Sequence, residues 1–172
     1  MAALATRYKD KPGVLYSLQV EPHGQHSWDE LLPRWVSMTD AIRAAHPKAL
    51  VFVPGTQWAR YVHWARAQPV PRPNVVYTTH PYDEWATIQP SYQLDAVKAV
   101  YPLLIGEFGT GTSMSHQTVL NLLAWTDTNK VSWAAWSFDD EATPVLLTER
   151  VNFTPTDPYG LEVRNRLRMG AP

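Results

Sequence analysis

Val14-Leu-Tyr-Ser-Leu-Gln-Val-Glu-Pro-His-Gly24 and Leu103-Leu-Ile-Gly-Glu-Phe-Gly109 are apolar, strand-like stretches that each run into a glutamate and then turn at Pro or Gly. Burying a lone carboxylate is costly unless it finds partners or changes its protonation. Glu21 and Glu107 therefore need a reason to stand where they do. Two such endings in one chain predict one polar site at the same end of a sheet.

The rest of the chain alternates short apolar runs with helical or loop segments. Runs rich in branched and aromatic residues are typical of strands buried on both faces of a parallel sheet. Strand–helix–strand alternation favours a parallel sheet with right-handed crossovers. Strands are predicted at Val14–Val20, Ala49–Val53, Asn74–Thr79, Leu103–Gly106 and Val131–Trp136.

The clearest helix begins at Ser27, which forms a Ser-x-x-Glu capping box with Glu30. This helix is predicted to end near His46, because Pro47 blocks its continuation. Further helices are predicted at Ser91–Val100, Ser115–Thr128 and Pro158–Arg168, with a short one within Gln57–Ala67.

Size and composition bound the class of protein. The 172 residues support one domain over 1–172, whereas a closed eight-stranded α/β barrel needs roughly 250 residues. A net charge of −1 gives no electrostatic footprint for nucleic acid or an anionic membrane. The absence of Cys excludes disulfides and thiolate metal sites. No apolar stretch at the N-terminus is long enough for a signal peptide, and no run approaches a transmembrane span.

Five residues lie at the carboxyl ends of the predicted strands, where parallel sheets collect active groups. These residues are Glu21, Pro54, His80, Glu107 and Trp136. A retaining glycosidase needs two carboxyl groups about 5–5.5 Å apart, which Glu21 and Glu107 could supply if folding brings them together. A surface turn carboxylate is the alternative for either one alone. The eight Trp and eight Tyr fit a sugar site or an aromatic core.

Five motifs in fixed order, over about residues 13–145, resemble the second half of a clan A glycoside hydrolase of the cellulase type, family five. They are Glu21-Pro22-His23-Gly24, Phe52-Val-Pro-Gly-Thr-Gln-Trp58, His80-Pro-Tyr82, Ile105-Gly-Glu-Phe-Gly109 and Trp133-Ala-Ala-Trp-Ser137. The resemblance implies an α/β fold, a truncated (β/α) barrel of about five parallel strands and three to five helices. Since five strands cannot close a small barrel, we expect homo-oligomerisation, as a dimer or trimer, to complete it.

The resemblance also implies the role of each site residue. Glu21 would be the acid/base and Glu107 the nucleophile, with the Tyr82 hydroxyl donating a hydrogen bond to Glu107. No metal and no cofactor are expected. The expected substrate-binding residues are His80, Tyr82, Trp136, Trp58 and His23. A structural loop role for His80 and a packing role for Tyr82 stay open.

The function implied is a retaining β-glycoside hydrolase that cleaves β-1,4-glucan or related plant cell-wall oligosaccharides, as an endoglucanase or a β-glucosidase-like enzyme. The resemblance places it outside the cell, whereas the chain as given, without a leader, would be cytoplasmic. The sequence departs from the family at Val20, where an Asn normally contacts the sugar 2-hydroxyl. Two alternatives stay open: a carbohydrate-binding or remnant domain without turnover, and a fragment that needs a separate N-terminal partner.

Overall fold

The computed structural model describes residues 1–111 and 113–170. Helices α1–α7 span Ala2–Tyr8, Trp28–Arg43, Thr56–Ala59, Trp85–Tyr92, Leu94–Lys98, His116–Asn129 and Tyr159–Met169, and a 3-10 helix spans His63–Arg66. Strands β1–β7 span Tyr16–Ser17, Val51–Pro54, Val75–Thr79, Leu103–Ile105, Ser132–Trp133, Leu147–Glu149 and Thr154–Pro155.

The chain groups into two compact units. The first holds Met1–Thr79 and Tyr92–Leu103, and the second holds His80–Ser91 and the chain from Leu104 onward. A single domain over 1–172 stays a prediction, and Thr112, Ala171 and Pro172 lie outside the described residues.

The first five strands form one sheet in the order β1-β2-β3-β4-β5. Within the first unit, β1 runs parallel to β2 with Tyr16 opposite Val51, and β2 runs parallel to β3 with Val51 opposite Val75. Within the second unit, β4 runs parallel to β5 with Leu104 opposite Ser132. The existence of the five predicted strands and the α/β class are confirmed. The predicted extent of the last one is wrong, because Val131–Trp136 is regular only at Ser132–Trp133. The described residues form seven α-helices, more than the three to five expected.

The predicted extent of the first strand is wrong. Val14–Val20 is regular only at Tyr16–Ser17, and the Leu18 amide adds one ladder bond to the Phe52 carbonyl at 3.1 Å. As an end strand in the sheet order, β1 pairs on one side, and Val20 is 62% exposed. Glu21 consequently lies in a loop three residues beyond that last bond rather than at the end of a strand.

The first unit packs around aromatic rings. Trp28 and Trp35 on α2 lie with ring centroids 4.7 Å apart, and Trp28 also contacts Tyr77 of β3 at 6.1 Å. The predicted capping box starts α2, since the Glu30 amide donates to Ser27 Oγ and the Ser27 amide to Glu30 Oε2. Burial raises the pKa of Tyr77 to about 12, so its hydroxyl stays protonated. This hydroxyl accepts a hydrogen bond from the Val70 amide at 2.9 Å.

The helix predictions differ from the structure at several boundaries. Helix α2 ends at Arg43 rather than near His46. The predicted helix Ser91–Val100 is interrupted at Gln93, whose φ is +51°. Helix α4 begins at Trp85, before the predicted start, and α5 has only five residues. Helix α1 and the antiparallel pair β6–β7 were not predicted. Within the described residues, no helix combines the length and apolar character needed to cross a membrane.

The core of the second unit forms around Phe108. Its ring contacts Trp133 of β5 at 5.7 Å and Tyr159 of α7 at 6.4 Å, both edge-on. Leu122 and Leu123 of α6 are fully buried. This packing surrounds the segment that follows β4 and so fixes the backbone on which Glu107 stands.

Candidate active site

Glu107 stands two residues after β4, with two polar side chains of the second unit against one of its oxygens. The Tyr82 hydroxyl donates to Glu107 Oε2 at 3.2 Å, and His80 Nδ1 lies 3.6 Å from the same oxygen. The side chain of His80 is 5% exposed and that of Glu107 is 17% exposed. His80 directly follows β3, as the sequence predicted. A donated hydrogen bond favours the charged carboxylate, which a nucleophile requires.

The backbone beside Glu107 is held by Tyr159 of α7. Its hydroxyl lies 2.7 Å from the Phe108 carbonyl and 2.8 Å from the Trp136 carbonyl, so that one proton is shared between two acceptors. Burial raises the pKa of the Tyr159 hydroxyl, which keeps it a donor. A Cβ on Gly109 would lie 2.5 Å from Pro144 Cγ and 2.8 Å from the Trp136 carbonyl oxygen. Only glycine fits this close approach.

Trp136 follows β5 by three residues and its side chain is 41% exposed. Its amide donates to the Phe108 carbonyl at 2.9 Å, so its backbone is fixed while the indole faces solvent. An exposed ring on a fixed backbone is the arrangement expected of a sugar platform.

In the first unit, the loops that follow β1 and β2 are joined. The Trp58 amide donates to the Pro22 carbonyl at 2.8 Å, and the rings of His23 and Trp58 stack with centroids 6.1 Å apart. The Glu21 loop is thus tied to Trp58 through its two following residues. His23 and Trp58, which were both predicted to bind substrate, contact each other.

The loop that presents Trp58 has an uncommon backbone. Gln57, Trp58 and Ala59 have φ of +49°, +58° and +56°, in the left-handed region that non-glycine residues rarely adopt. Exchanged hydrogen bonds between the backbones of Thr56 and Tyr61 close the loop. Such strain persists only where the surroundings enforce it, and it concentrates at functional sites.

An open cleft of about 890 Å³ lies along these loops of the first unit. Trp58 and Trp64 line it, and their side chains are 49% and 50% exposed. His63 packs on Trp64 with ring centroids 4.7 Å apart, and burial, aided by the Arg66 charge, lowers the pKa of His63. Trp28 and Gln68 also line the cleft, and Trp28 Nε1 donates to the Gln68 carbonyl at 2.8 Å.

Trp64 was not predicted as a site residue. It lies in the 3-10 helix His63–Arg66, within the segment where only a short helix was expected. Its exposure is the signal that reveals it, and exposure cannot be read from sequence. The predicted residues fall into two groups: His80 and Tyr82 with Glu107, and His23 with Trp58. The catalytic roles of Glu21 and Glu107 stay predictions.

The parallel strands with loops and polar groups after their carboxyl ends define a truncated α/β barrel. The sequence profile described as Cellulase (glycosyl hydrolase family 5) matches residues 1–142, and the chain belongs to that family. Sequence relatives include Endoglucanase N of Pectobacterium atrosepticum, 27% identical over 82% of this chain and 33% of the relative. Another is Endoglucanase A of Evansella cellulosilytica, 28% identical over 98% of this chain and 38% of the relative.

The chain therefore spans about a third of the length of the curated relatives it matches. Among solved structures, the beta-glucanase SdGluc5_26A from Saccharophagus degradans superposes with a TM-score of 0.88 at 20% identity, over 99% of this chain and 58% of that one. This likeness confirms the truncated barrel fold.

Proposed function

We propose that the chain is the catalytic portion of a retaining β-glycoside hydrolase acting on β-1,4-glucan or related plant cell-wall oligosaccharides. The observation that carries the proposal is the shielded Glu107 carboxylate, which accepts from Tyr82 beside His80. Family membership supports it, and the structural neighbour from Saccharophagus degradans has also been solved with cellotetraose.

In this mechanism Glu107 attacks the anomeric carbon while Glu21 protonates the leaving oxygen. Glu21 then activates water, which hydrolyses the glycosyl-enzyme. The assignment of the two roles is supported by the family resemblance and by chain position, because Glu21 follows β1 and Glu107 follows β4, and active groups of parallel sheets follow the carboxyl ends of strands. Retention requires the carboxyl groups to approach to about 5–5.5 Å. No metal or cofactor takes part.

The test is hydrolysis of an aryl β-cellobioside and of soluble cellulose by the purified chain, with the anomeric form of the first product read by NMR. A first product that retains the β-configuration supports the proposal. A first product of inverted configuration contradicts the double displacement, because one displacement inverts and two retain.

The second candidate function is a carbohydrate-binding or remnant domain without turnover. Val20 favours it, because this side chain is 62% exposed and offers no polar atom where the family has an Asn. Calorimetry with cellotetraose, alongside a product assay, separates the two functions. Binding without any product would support the binding domain.

We propose that Trp64 extends the sugar site on the leaving-group side, because the cleft it lines includes Gly24, three residues after Glu21. Loss of one sugar–indole contact costs on the order of 1–1.5 kcal/mol, or about tenfold in affinity. Trp64→Ala is therefore expected to raise KM about tenfold on cellopentaose and to leave an aryl β-cellobioside unaffected, since that substrate has no sugar there.

The matched control for this change is Tyr8→Ala, which removes an aromatic side chain that is 38% exposed on α1. It should leave both KM values unchanged. An equal KM effect of Trp64→Ala on both substrates would contradict a role confined to the leaving-group side.

We also propose that further copies of the chain cover the open sides of the five-stranded sheet, as a dimer or trimer. End strands present unpaired backbone groups that invite pairing with other chains. The mass of the purified chain in multi-angle light scattering should be two or three times that of one chain. A folded monomer at micromolar concentration would contradict this assembly.

A further inference from the structure

Glu84 lies in the segment between β3 and α4, two residues after Tyr82, and its carboxylate is bound to the start of α6. The Ser115 amide donates to Glu84 Oε1 at 2.7 Å, and the Ser115 hydroxyl donates to Oε2 at 2.8 Å. The Thr118 hydroxyl also donates to Oε2. The carboxylate thus ties the segment His80–Trp85 to a helix that follows Glu107 in the chain.

The same anchor includes the next residue. The Trp85 amide donates to Thr118 Oγ1 at 3.1 Å, so one hydroxyl joins two consecutive residues of the segment. Hydrogen bonds from Thr118 and then from Ser115 lower the pKa of the Glu84 carboxyl, which keeps it charged at the positive end of the α6 dipole.

The other end of the segment is also fixed. His80 follows directly on β3 and is 4% exposed, and Pro81 is buried and restricted in φ. Tyr82 is therefore held between the buried His80 and Pro81 on one side and the Glu84 anchor on the other. Its hydroxyl reaches Glu107 Oε2 at 3.2 Å from this span of backbone. A shift of about 1 Å in the segment would break that contact.

We propose that Glu84 is a positioning residue: by fastening the His80–Trp85 segment to α6, it keeps the Tyr82 hydroxyl on Glu107. The inference rests on the proposed function only in taking Glu107 as the nucleophile. The competing role for Glu84 is a helix cap that stabilises α6 and has no effect on Glu107. The two roles differ in what happens to the Glu107 carboxyl when Glu84 is removed.

The first experiment needs no turnover. The chain is labelled with glutamate carrying ¹³C at the side-chain carboxyl, and the Glu107 resonance, assigned by its loss in Glu107→Gln, is followed against pH by NMR. Loss of a donor to the charged form raises a carboxyl pKa. In Glu84→Ala the Glu107 midpoint is expected to move up by about 0.5–1 pH unit, as in Tyr82→Phe. His80, which also faces Oε2, is intact in both variants.

Three further variants make the result specific. The double variant Glu84→Ala with Tyr82→Phe should shift the Glu107 midpoint no more than Tyr82→Phe alone. The reason is that both changes act on the same hydrogen bond, from the Tyr82 hydroxyl to Glu107. Glu84→Gln retains one acceptor oxygen and should restore most of the wild-type midpoint. Thr126→Val removes a buried hydroxyl of α6, which donates to the Leu123 carbonyl at 2.8 Å. It should lower Tm without moving the midpoint.

The second experiment uses hydrolysis of an aryl β-cellobioside. The acid limb of kcat/KM should move to higher pH in Glu84→Ala by the same amount as the NMR midpoint. Absence of hydrolysis by the wild-type chain would count against the proposed function, while the titration would still decide the role of Glu84. A Glu84→Ala variant with a lowered Tm and an unchanged Glu107 midpoint would overturn the inference and leave Glu84 a helix cap.

Discussion

Glu107→Gln is expected to lower kcat on an aryl β-cellobioside by about 10³-fold or more, because the amide cannot form the glycosyl-enzyme. The substitution preserves the size of the side chain and leaves an oxygen that can accept from Tyr82, as Oε2 does at 3.2 Å. Folding should therefore survive the change. The rate is measured from the released phenol, together with Tm and binding of cellotetraose to show that the site is intact.

The control is Glu141→Gln, an identical change at a side chain that is 80% exposed and paired with Arg150. It should leave kcat unchanged. Equal rates for the wild type and Glu107→Gln would remove Glu107 from the mechanism.

Glu21→Gln is expected to lower kcat/KM by about 10²–10⁴-fold on soluble cellulose, since the alcohol leaving group needs a proton. The dinitrophenolate of a dinitrophenyl β-cellobioside leaves without protonation, so formation of the glycosyl-enzyme from this substrate should be nearly unaffected. Hydrolysis of the glycosyl-enzyme still needs the base. The expected signature is a burst of dinitrophenol, equal to the enzyme concentration, followed by slow turnover in stopped-flow absorbance.

The burst distinguishes the two glutamates, because Glu107→Gln should show neither burst nor turnover. A Glu21→Gln variant that loses the same factor on both substrates, without a burst, would contradict the acid/base role. A burst with Glu21→Gln and none with Glu107→Gln would support the opposed roles that we propose.

The five strands could be predicted because each is a short apolar run rich in branched or aromatic residues. This local pattern is typical of a buried strand and can be recognised without knowing its partner strand. The residues at which strands and helices begin and end were predicted less accurately. At β1 the run continues to Val20, but the ladder stops after Leu18, where Val20 turns to solvent. Helix α4 includes Pro90, which lies before the predicted start at Ser91, and the helical run is interrupted at the left-handed Gln93.

The candidate site was predictable where the family resemblance linked separate motifs of the chain. His80, Tyr82 and Glu107 stand at strand ends, and the Tyr82 hydrogen bond to Glu107 was expected before it was observed. Tyr159 and Glu84 were missed because their contacts join residues 51 and 31 positions apart. The sequence near Tyr159 and Glu84 contains no pattern that predicts these hydrogen-bond partners.

The shared hydroxyl of Tyr159 has a consequence for where this protein can be cut or fused. The family match ends at residue 142, but Tyr159 lies beyond that point and satisfies the carbonyls of Phe108 and Trp136. A boundary drawn at the end of the sequence match would remove the Tyr159 hydroxyl from both carbonyls, leave the Trp136 amide as a donor to the Phe108 carbonyl, and uncover the Phe108 ring. The smallest portable piece of this chain therefore extends at least through α7, and substitutions in that helix can shift the backbone beside Glu107 from outside the matched residues.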